Sequence, residues 1–257
     1  DLAAALARGW CDGDAFKTAW NNARARTLPL GERFFLVSVR AFAAQVTDPK
    51  LKQEVRGFCG QEGFHSREHD EYNRTLCEAR GYDLTYLEGR LKRGIAFVNK
   101  HMTAMERLAI TVCSEHITAI LAEAALSGDN PELENSLPVM QEFYRWHSAE
   151  EMEHKAVAFD VYRAAGGSEK LRIKTMNRST FFMMWDFLVG TLHMLRRDGQ
   201  LWRWSTWASG AKYLFGKGGF IRRVWPSYRD WFREDFHPWD RDTKALLAQW
   251  HMQEAAA

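Results

Sequence analysis

The residues best suited to chemistry in this chain are two Glu-x-x-His pairs, each preceded by a lone glutamate on its own apolar segment. The pairs are Glu62 with His65 and Glu151 with His154, and the preceding glutamates are Glu32 and Glu115. A helix turns about 100° per residue, so Glu and His three positions apart project from one face and can reach one ion. Repeated over four helices, this order is typical of the ligand set of a dinuclear iron or manganese carboxylate centre in a helical bundle.

The two lone glutamates lie in otherwise apolar surroundings, which makes them unusual. Glu32 is followed by Phe34 and Phe35, and Glu115 lies between Val112 and Ile117. A charge that points into a bundle core is costly unless it is paired or bound to a metal. The offsets of 30 residues from Glu32 to Glu62, and of 36 from Glu115 to Glu151, suit helices that turn back and meet near their midpoints. We therefore favour a dinuclear metal site over ion-paired structural acids.

Two further histidines fall on the same helical faces. His69 lies seven residues after Glu62, and His147 lies four residues before Glu151. Four roles are open for each of them: an extra ligand, a hydrogen-bond partner of a ligand, a proton shuttle, or a core histidine bonded to a carbonyl. We include both in the predicted metal site, which consists of Glu32, Glu62, His65, His69, Glu115, His147, Glu151 and His154. We predict no catalytic residue beyond this centre.

A third Glu-x-x-His pair, Glu234 with His237, is not assigned to a metal. Pro238 follows it directly, no helical pattern surrounds it, and no second glutamate-bearing helix accompanies it. The order of the four helices, rather than the motif alone, therefore carries the metal-site prediction.

The bulk composition is that of an ordinary globular protein. The chain has 257 residues, 46% of them hydrophobic, and a formal net charge of +2, which gives no reason to expect a nucleic-acid partner. Its four cysteines form no C-x-x-C pair, so we expect buried thiols, a reducing compartment and a cytoplasmic protein. The stretch closest to an uncharged apolar run of eighteen residues, Phe181–Leu195, is broken by Asp186 and His193, so we expect no membrane-spanning helix. Because the chain begins at Asp1, we expect it to be trimmed.

The pattern predicts an all-α fold with two parts. Residues 1–167 are expected to form a ferritin-like four-helix bundle with a helical N-terminal lead-in, and residues 168–257 an aromatic and basic helical extension packed on it. The predicted bundle helices are Leu30–Val46, Lys50–Ala79, His101–Ser127 and Glu132–Ala165, with a partly helical crossover over Leu84–Asn99 and a break at Gly128-Asp129-Asn130-Pro131. Apart from Ala255–Ala257, no low-complexity tract occurs in the sequence.

The extension is rich in tryptophan and arginine, and its role is open at this stage. Eight of the eleven Trp residues lie from Trp185 onward. The region could cover the bundle as a substrate lid, contact a membrane peripherally through residues 198–225, or form a homodimer interface.

Three segments resemble the bacterial family catalogued as predicted metal-dependent hydrolases. They are Gly31–Phe35, Gln61–His69 and the helix from His147 to His154, and the resemblance spans roughly residues 25–240. It implies a ferritin-like di-iron fold and the eight ligand positions given above. It implies no particular substrate.

The ligand set is also similar to those of di-iron oxygenases, desaturases and N-oxygenases, which suggests a reaction. The leading expectation is an O2-activating di-iron oxidoreductase that uses two Fe ions, an unidentified electron donor and a small hydrophobic substrate. Mn/Fe, Mn or Zn would fit the same ligands. The alternative is a dinuclear metal-dependent hydrolase, whose metals generate hydroxide from water. A third reading is iron storage or protection from oxidative stress.

Overall fold

The computed structural model describes residues 1–128 and 131–255, in which all regular structure is helical. The α-helices are α1 (Leu2–Leu6), α2 (Ala15–Ala25), α3 (Leu28–Arg40), α4 (Pro49–Arg80), α5 (Leu84–His101), α6 (Ala104–Leu126), α7 (Pro131–Glu134), α8 (Pro138–His154), α9 (Val157–Ala164), α10 (Glu169–Arg197), α11 (Trp204–Phe215), α12 (Phe220–Asp230) and α13 (Lys244–Glu254). Short 3-10 helices cover Ala43–Gln45 and Pro238–Asp240. The all-α prediction is confirmed for these ranges. The predicted break at 128–131 and the alanine tail extend onto residues 129–130 and 256–257, which lie outside the described residues.

Local sequence signals set the ends of α4 and α6, the two longest of the helices that carry the predicted ligands. Asp48 caps α4 by accepting hydrogen bonds from the backbone N–H groups of Lys50 and Leu51, and Pro49 occupies the first turn. Helix α4 ends at Gly81, whose φ of 64° is a left-handed conformation that favours glycine. Helix α6 begins at a capping box in which Thr103 and Glu106 satisfy each other's backbone N–H groups.

The four helices that carry the predicted ligands pack in pairs. Helix α3 packs along α4, and α6 packs along α8, while α3 also contacts α6 and α4 contacts α8 and α9. The first pair is antiparallel, because Ser66 on α4 donates to the carbonyl of Pro29, whereas Gly63, earlier on α4, faces Leu36, later on α3. The glutamates of α3 and α6 are thereby turned toward the Glu-x-x-His pairs of α4 and α8.

The single helix predicted over Glu132–Ala165 is wrong, because this segment forms α7, α8 and α9. Pro138 opens α8 as a new helix, and α8 ends directly after His154. At the second interruption the buried Lys155 turns its Nζ to the carbonyl of Arg241, at 2.7 Å, and to Thr243 Oγ1, at 3.0 Å. The two sides of this contact are far apart in the sequence, so helical periodicity around Lys155 did not reveal it.

Two other helices were predicted only in part. The partly helical crossover is one 18-residue helix, α5, capped by Asp83, which accepts from the N–H of Tyr86. Within the predicted helical extension, α12 follows the glycine-rich residues 216–219, and its bounds were not predicted.

The region after residue 167 contributes to both hydrophobic clusters of the described residues, and each cluster also contains residues of the ligand helices. Met176 and Trp231, both fully buried, lie in one cluster with Phe34 and Leu108. Helix α10 packs on α2 and α6, and α12 packs on α6. Other aromatic side chains of the region remain at the surface, among them Trp202, which is 92% exposed, so self-packing accounts for part of the region only.

Two further expectations concerned the absence of a membrane-spanning helix and the burial of the cysteine thiols. Helix α6 is long and apolar enough to cross a membrane by length and composition, but 56% of its most apolar window is buried within the molecule, as in a core helix. All four cysteines are buried, as expected, and none forms a disulfide bond. The cytoplasmic location stays a prediction.

Candidate metal centre

The eight predicted metal-site residues converge in the interior between α3, α4, α6 and α8. None of them is more than 8% exposed. Helix α4 contributes Glu62, His65 and His69 from one face, whereas the lone glutamates come from α3 and α6. Their ligand atoms form two adjoining groups, each within 4.8 Å: Glu32, His65, His147 and Glu151 in the first, and Glu62, Glu115, Glu151 and His154 in the second.

The second group is centred on His154. Its Nε2 lies 3.1 Å from Glu62 Oε1, 3.6 Å from Glu151 Oε2 and 3.7 Å from Glu115 Oε2. These atoms surround one point without being aligned as hydrogen-bond donors and acceptors. Metal–ligand bonds of about 2.0–2.2 Å would place opposite ligands about 4 Å apart, so an ion fits between them.

Glu151 joins the two groups through its two oxygens. Oε1 lies 3.5 Å from His65 Nδ1 and 3.6 Å from His147 Nε2, whereas Oε2 faces His154. The groups differ in composition: the first has two imidazoles and two carboxylates, and the second has one imidazole and three carboxylates. A shared carboxylate between two such groups is the arrangement that a bridged pair of cations requires.

The donor atoms lack the partners that buried polar groups normally have. In the described part of the chain, no hydrogen-bond partner exists for both oxygens of Glu32, Glu62 and Glu115, or for Glu151 Oε2, His65 Nδ1 and His154 Nε2. Nor does any lysine or arginine of the described residues lie within 4.0 Å of these four carboxylates. Oxygen and imidazole donors of this kind fit divalent Fe, Mn or Zn, which would compensate the buried charge.

Without a cation the interior opposes ionisation of the lone glutamates. Burial, reinforced by the other carboxylates, raises the pKa of Glu32 and of Glu115 well above the usual range. Burial also opposes the charge of Glu151, but the imidazoles of His154 and His65 outweigh it and hold the pKa of that carboxyl well below its usual value. Because a ligand must be deprotonated to bind, metal binding here would release protons.

Each of the three imidazoles at the centre uses one nitrogen for a neighbouring side chain and turns the other to the site. His65 Nε2 lies 2.8 Å from Glu150 Oε2, and His154 Nδ1 lies 3.0 Å from Gln61 Oε1. With the proton on these nitrogens, both rings donate to their partners and leave a lone pair for an ion, as metal-bound histidines do.

His69 contacts the third imidazole, that of His147, and belongs to neither group of ligand atoms. Its Nε2 lies 3.2 Å from His147 Nδ1, so the Nε2 of His147 is left to face Glu151. Burial lowers the pKa of His147 to about 3 and keeps the ring neutral, as a ligand must be. The geometry thus favours the hydrogen-bonding role among the alternatives for His69.

Sequence reasoning did not identify Gln61 or Glu150 as partners of the ligands. Each directly precedes a ligand glutamate, but each acts on a histidine of the opposite helix, and one helical period cannot reveal such a contact. His237 lies elsewhere, as expected: its Nε2 is 2.9 Å from Asp160 Oδ1.

A cavity of about 780 Å³ opens onto this centre, and Glu151 and His147 form part of its wall. Most of the other lining side chains are apolar, such as Phe35 on α3, Ile117 on α6 and Phe187 on α10. Its size is that of a site for a small organic molecule.

Comparison with known families corrects the expected reaction. A family model described as "Predicted metal-dependent hydrolase" matches residues 1–242. The expectation of an O2-activating di-iron oxidoreductase, whether oxygenase, hydroxylase or desaturase, is therefore wrong, and the alternative of a hydrolase agrees with the family. The expectation of an oxidoreductase rested on the ligand set. Oxidative and hydrolytic dinuclear centres share such ligands, so the ligands alone do not distinguish the two reactions. No curated protein and no solved structure matches the chain. By the extent of this match, the chain belongs to the family of predicted metal-dependent hydrolases.

Proposed function

We propose that this protein is a dinuclear metal-dependent hydrolase whose two ions lie within a ferritin-like four-helix bundle of α3, α4, α6 and α8. The bundle would occupy residues 1–167, with residues 168–257 packed over it. The observation that carries the proposal is the convergence of buried donor atoms without hydrogen-bond partners on two adjoining points that share Glu151. The family match supports the hydrolytic reaction.

In this proposal each ion has its own ligands and a common carboxylate. Glu32, His65 and His147 would hold one ion together with Glu151. The other ion would be held by Glu151 and the three remaining ligands, Glu62, Glu115 and His154. Zn(II) and Mn(II) both accept these donors and need no change of oxidation state.

Bound ions would supply a hydroxide from water at neutral pH and polarise the bond to be cleaved. The chain's own residues orient the ligands and shape the space for the substrate. Gln61, Glu150 and His69 fix the three imidazole rings, and the apolar wall of the cavity admits an organic substrate beside Glu151. His147, which burial keeps neutral, retains its lone pair at physiological pH.

The proposal is tested by hydrolysis of 4-nitrophenyl esters under strict anaerobiosis, with protein loaded with Zn(II) or Mn(II). We expect turnover without O2 or reductant, and its loss in Glu115→Gln. The matched control is Glu142→Gln, which changes an exposed glutamate of α8 and should leave turnover intact. Activity that requires O2 and an electron donor, or none with either metal, would refute the proposal.

A further inference from the structure

The cavity beside the centre has two ends of opposite character. At one end its lining is buried and mostly apolar, including Trp10, Ala125 and Leu133, with the partly exposed Arg24 donating to Asn21 Oδ1 beside them. At the other end its lining includes exposed side chains of α5 and α10, namely Arg93, Phe97, Arg178 and Phe182. A molecule in the cavity would therefore have one end in mostly apolar, buried surroundings and one end close to solvent.

The metal centre lies between these two ends. The cavity follows α6 from Ile110 to Ala125, a distance of about 22 Å at 1.5 Å per residue. Ser114 and Thr118, which flank Glu115 on α6, line its middle, as do His147 and Glu151 on α8. A ligand that filled the cavity would thus present its central atoms, rather than either end, to the centre.

The open end carries three arginines, Arg90, Arg93 and Arg178, of which Arg90 is paired with Asp186 in the same lining. Among the described residues, neither Arg93 nor Arg178 has an acidic partner within 4.0 Å there, and the polar contact of Arg178 is with the sulfur of Met102. The carboxylate of Glu106 accepts hydrogen bonds from Thr103, with which it caps α6, and interacts only at longer range with Arg178. The opening is therefore suited to an anionic group.

We propose that the cavity binds an acyl ester or thioester with a hydrocarbon acyl chain and an anionic leaving group. The chain fills the buried, mostly apolar end, the carbonyl group lies beside Glu151 and His147, and the anionic group lies beside Arg93 and Arg178. Only the statement that this ligand is the substrate rests on the proposed hydrolase function. In that reaction the oxygen of water bonds to the acyl carbon as the C–O or C–S bond breaks. The products are a carboxylate, the anionic alcohol or thiol, and one proton.

Binding is tested on the full-length, metal-containing protein with three ethers that cannot be hydrolysed and share a decyl chain. They are 2-(decyloxy)acetate, 2-(decyloxy)ethanol and 2-(decyloxy)ethyltrimethylammonium, which are anionic, neutral and cationic. By isothermal titration calorimetry we expect the anion to bind most tightly and the cation most weakly. Replacing decyl by ethyl in the anion should abolish binding. Equal affinities, tighter binding of the cation, or no binding of any ether overturns the proposal.

Two sets of variants locate the ligand. Gly94 lines the cavity on α5 with open space where a Cβ would lie, so Gly94→Phe should fill the opening and prevent binding. Gly57→Phe is the matched control, because Gly57 is an exposed helical glycine with equally open space, outside the cavity. Arg93→Gln and Arg178→Gln should each reduce the preference for the anion over the neutral ether by about two- to five-fold. Unchanged binding in Gly94→Phe contradicts the assignment of the cavity.

Hydrolysis of the corresponding esters separates this inference from the proposed function. We expect decanoylglycolate and its thioester to be cleaved with a lower KM than 2-hydroxyethyl decanoate, and decanoylcholine to be the poorest substrate. The ratio of ester to thioester turnover distinguishes the two leaving groups. Ether binding in the expected order without hydrolysis of any ester would refute the hydrolase and leave the ligand class standing. Hydrolysis that is indifferent to charge would refute the ligand class alone.

Discussion

The imidazole rings show how single residues define this centre. His65, His147 and His154 each turn one ring nitrogen toward Glu151 or its neighbours, while the other nitrogen lies within about 3 Å of a fixed side chain. These contacts set both the tautomer and the direction of the free lone pair. Residues outside the predicted ligand set would therefore help to determine where an ion binds.

His69 gives the first prediction at this scale. His69→Phe removes the partner of His147 Nδ1 but no ligand, so we expect two metals to bind with an affinity lowered about 10- to 100-fold. A chelator competition titration measures the change. His101→Phe, at an exposed histidine at the end of α5, is the control. Unchanged affinity in His69→Phe would show that this contact does not support the site.

The residues that the sequence could reveal are those repeated along one helix. Glu62, His65 and His69 follow the helical period, and apolar neighbours distinguish Glu32 and Glu115 from surface acids. The sharing of Glu151 depends instead on how α4 and α8 face each other, which the spacing along a single chain segment does not specify. The same holds for Gln61 and Glu150.

At the scale of elements, helix ends with strong local signals were predictable and tertiary interruptions were not. Asp48, Pro49 and Gly81 delimit α4 in the sequence, and the structure agrees within a few residues. The break after His154 instead depends on Lys155 binding the backbone of Arg241. Helical periodicity continues across that point, so the sequence pattern predicted a single helix.

The contact between α6 and α12 predicts a specific loss of stability in acid. His116 donates from Nε2 to the carbonyl of Ser227, and burial lowers the pKa of its ring to about 3. In the unfolded chain the pKa of this imidazole is near 6.5, so it binds a proton in mild acid, whereas the buried ring of the folded chain stays neutral. The stabilising contribution is therefore present at neutral pH and falls as the pH drops below about 6.5. Between pH 7 and pH 5 this loss is about 2 kcal/mol.

The measurement is urea unfolding of the wild type and His116→Gln at both pH values. We expect the variant to be less stable than the wild type at pH 7, because the ring's packing is lost, but to lose less stability on acidification. Equal losses in the two proteins would mean that His116 is protonated in the fold.

At the scale of the whole molecule, the ligand helices and the region after residue 167 share two hydrophobic clusters. Trp231 is fully buried, its ring lies 4.8 Å from that of His116, and Arg172 from α10 stacks over it. The division at residue 167, drawn from composition, stays a prediction, because an extension packed on the bundle would share these clusters with it. Residue composition alone cannot indicate which tryptophans of the region are buried.

Two tryptophans of this region should consequently behave in opposite ways. Trp231→Ala should cost about 3–5 kcal/mol of unfolding free energy, because it opens a cavity in a shared cluster. Trp202→Ala should change stability by less than about 0.5 kcal/mol, because that side chain is 92% exposed. Denaturant unfolding followed by circular dichroism checks both values. A small effect of Trp231→Ala would indicate that the extension folds separately.

The central claim, a pair of ions bridged by Glu151, is tested most directly by the metal-to-protein ratio. Inductively coupled plasma mass spectrometry of the purified full-length chain should give two metals in the wild type and in Glu142→Ala. Glu62→Ala should lose metal, and Glu151→Ala should lose nearly all of it, because both groups use that carboxylate. Two metals per chain in either of these variants, or fewer than two in the fully loaded wild type, would contradict the account.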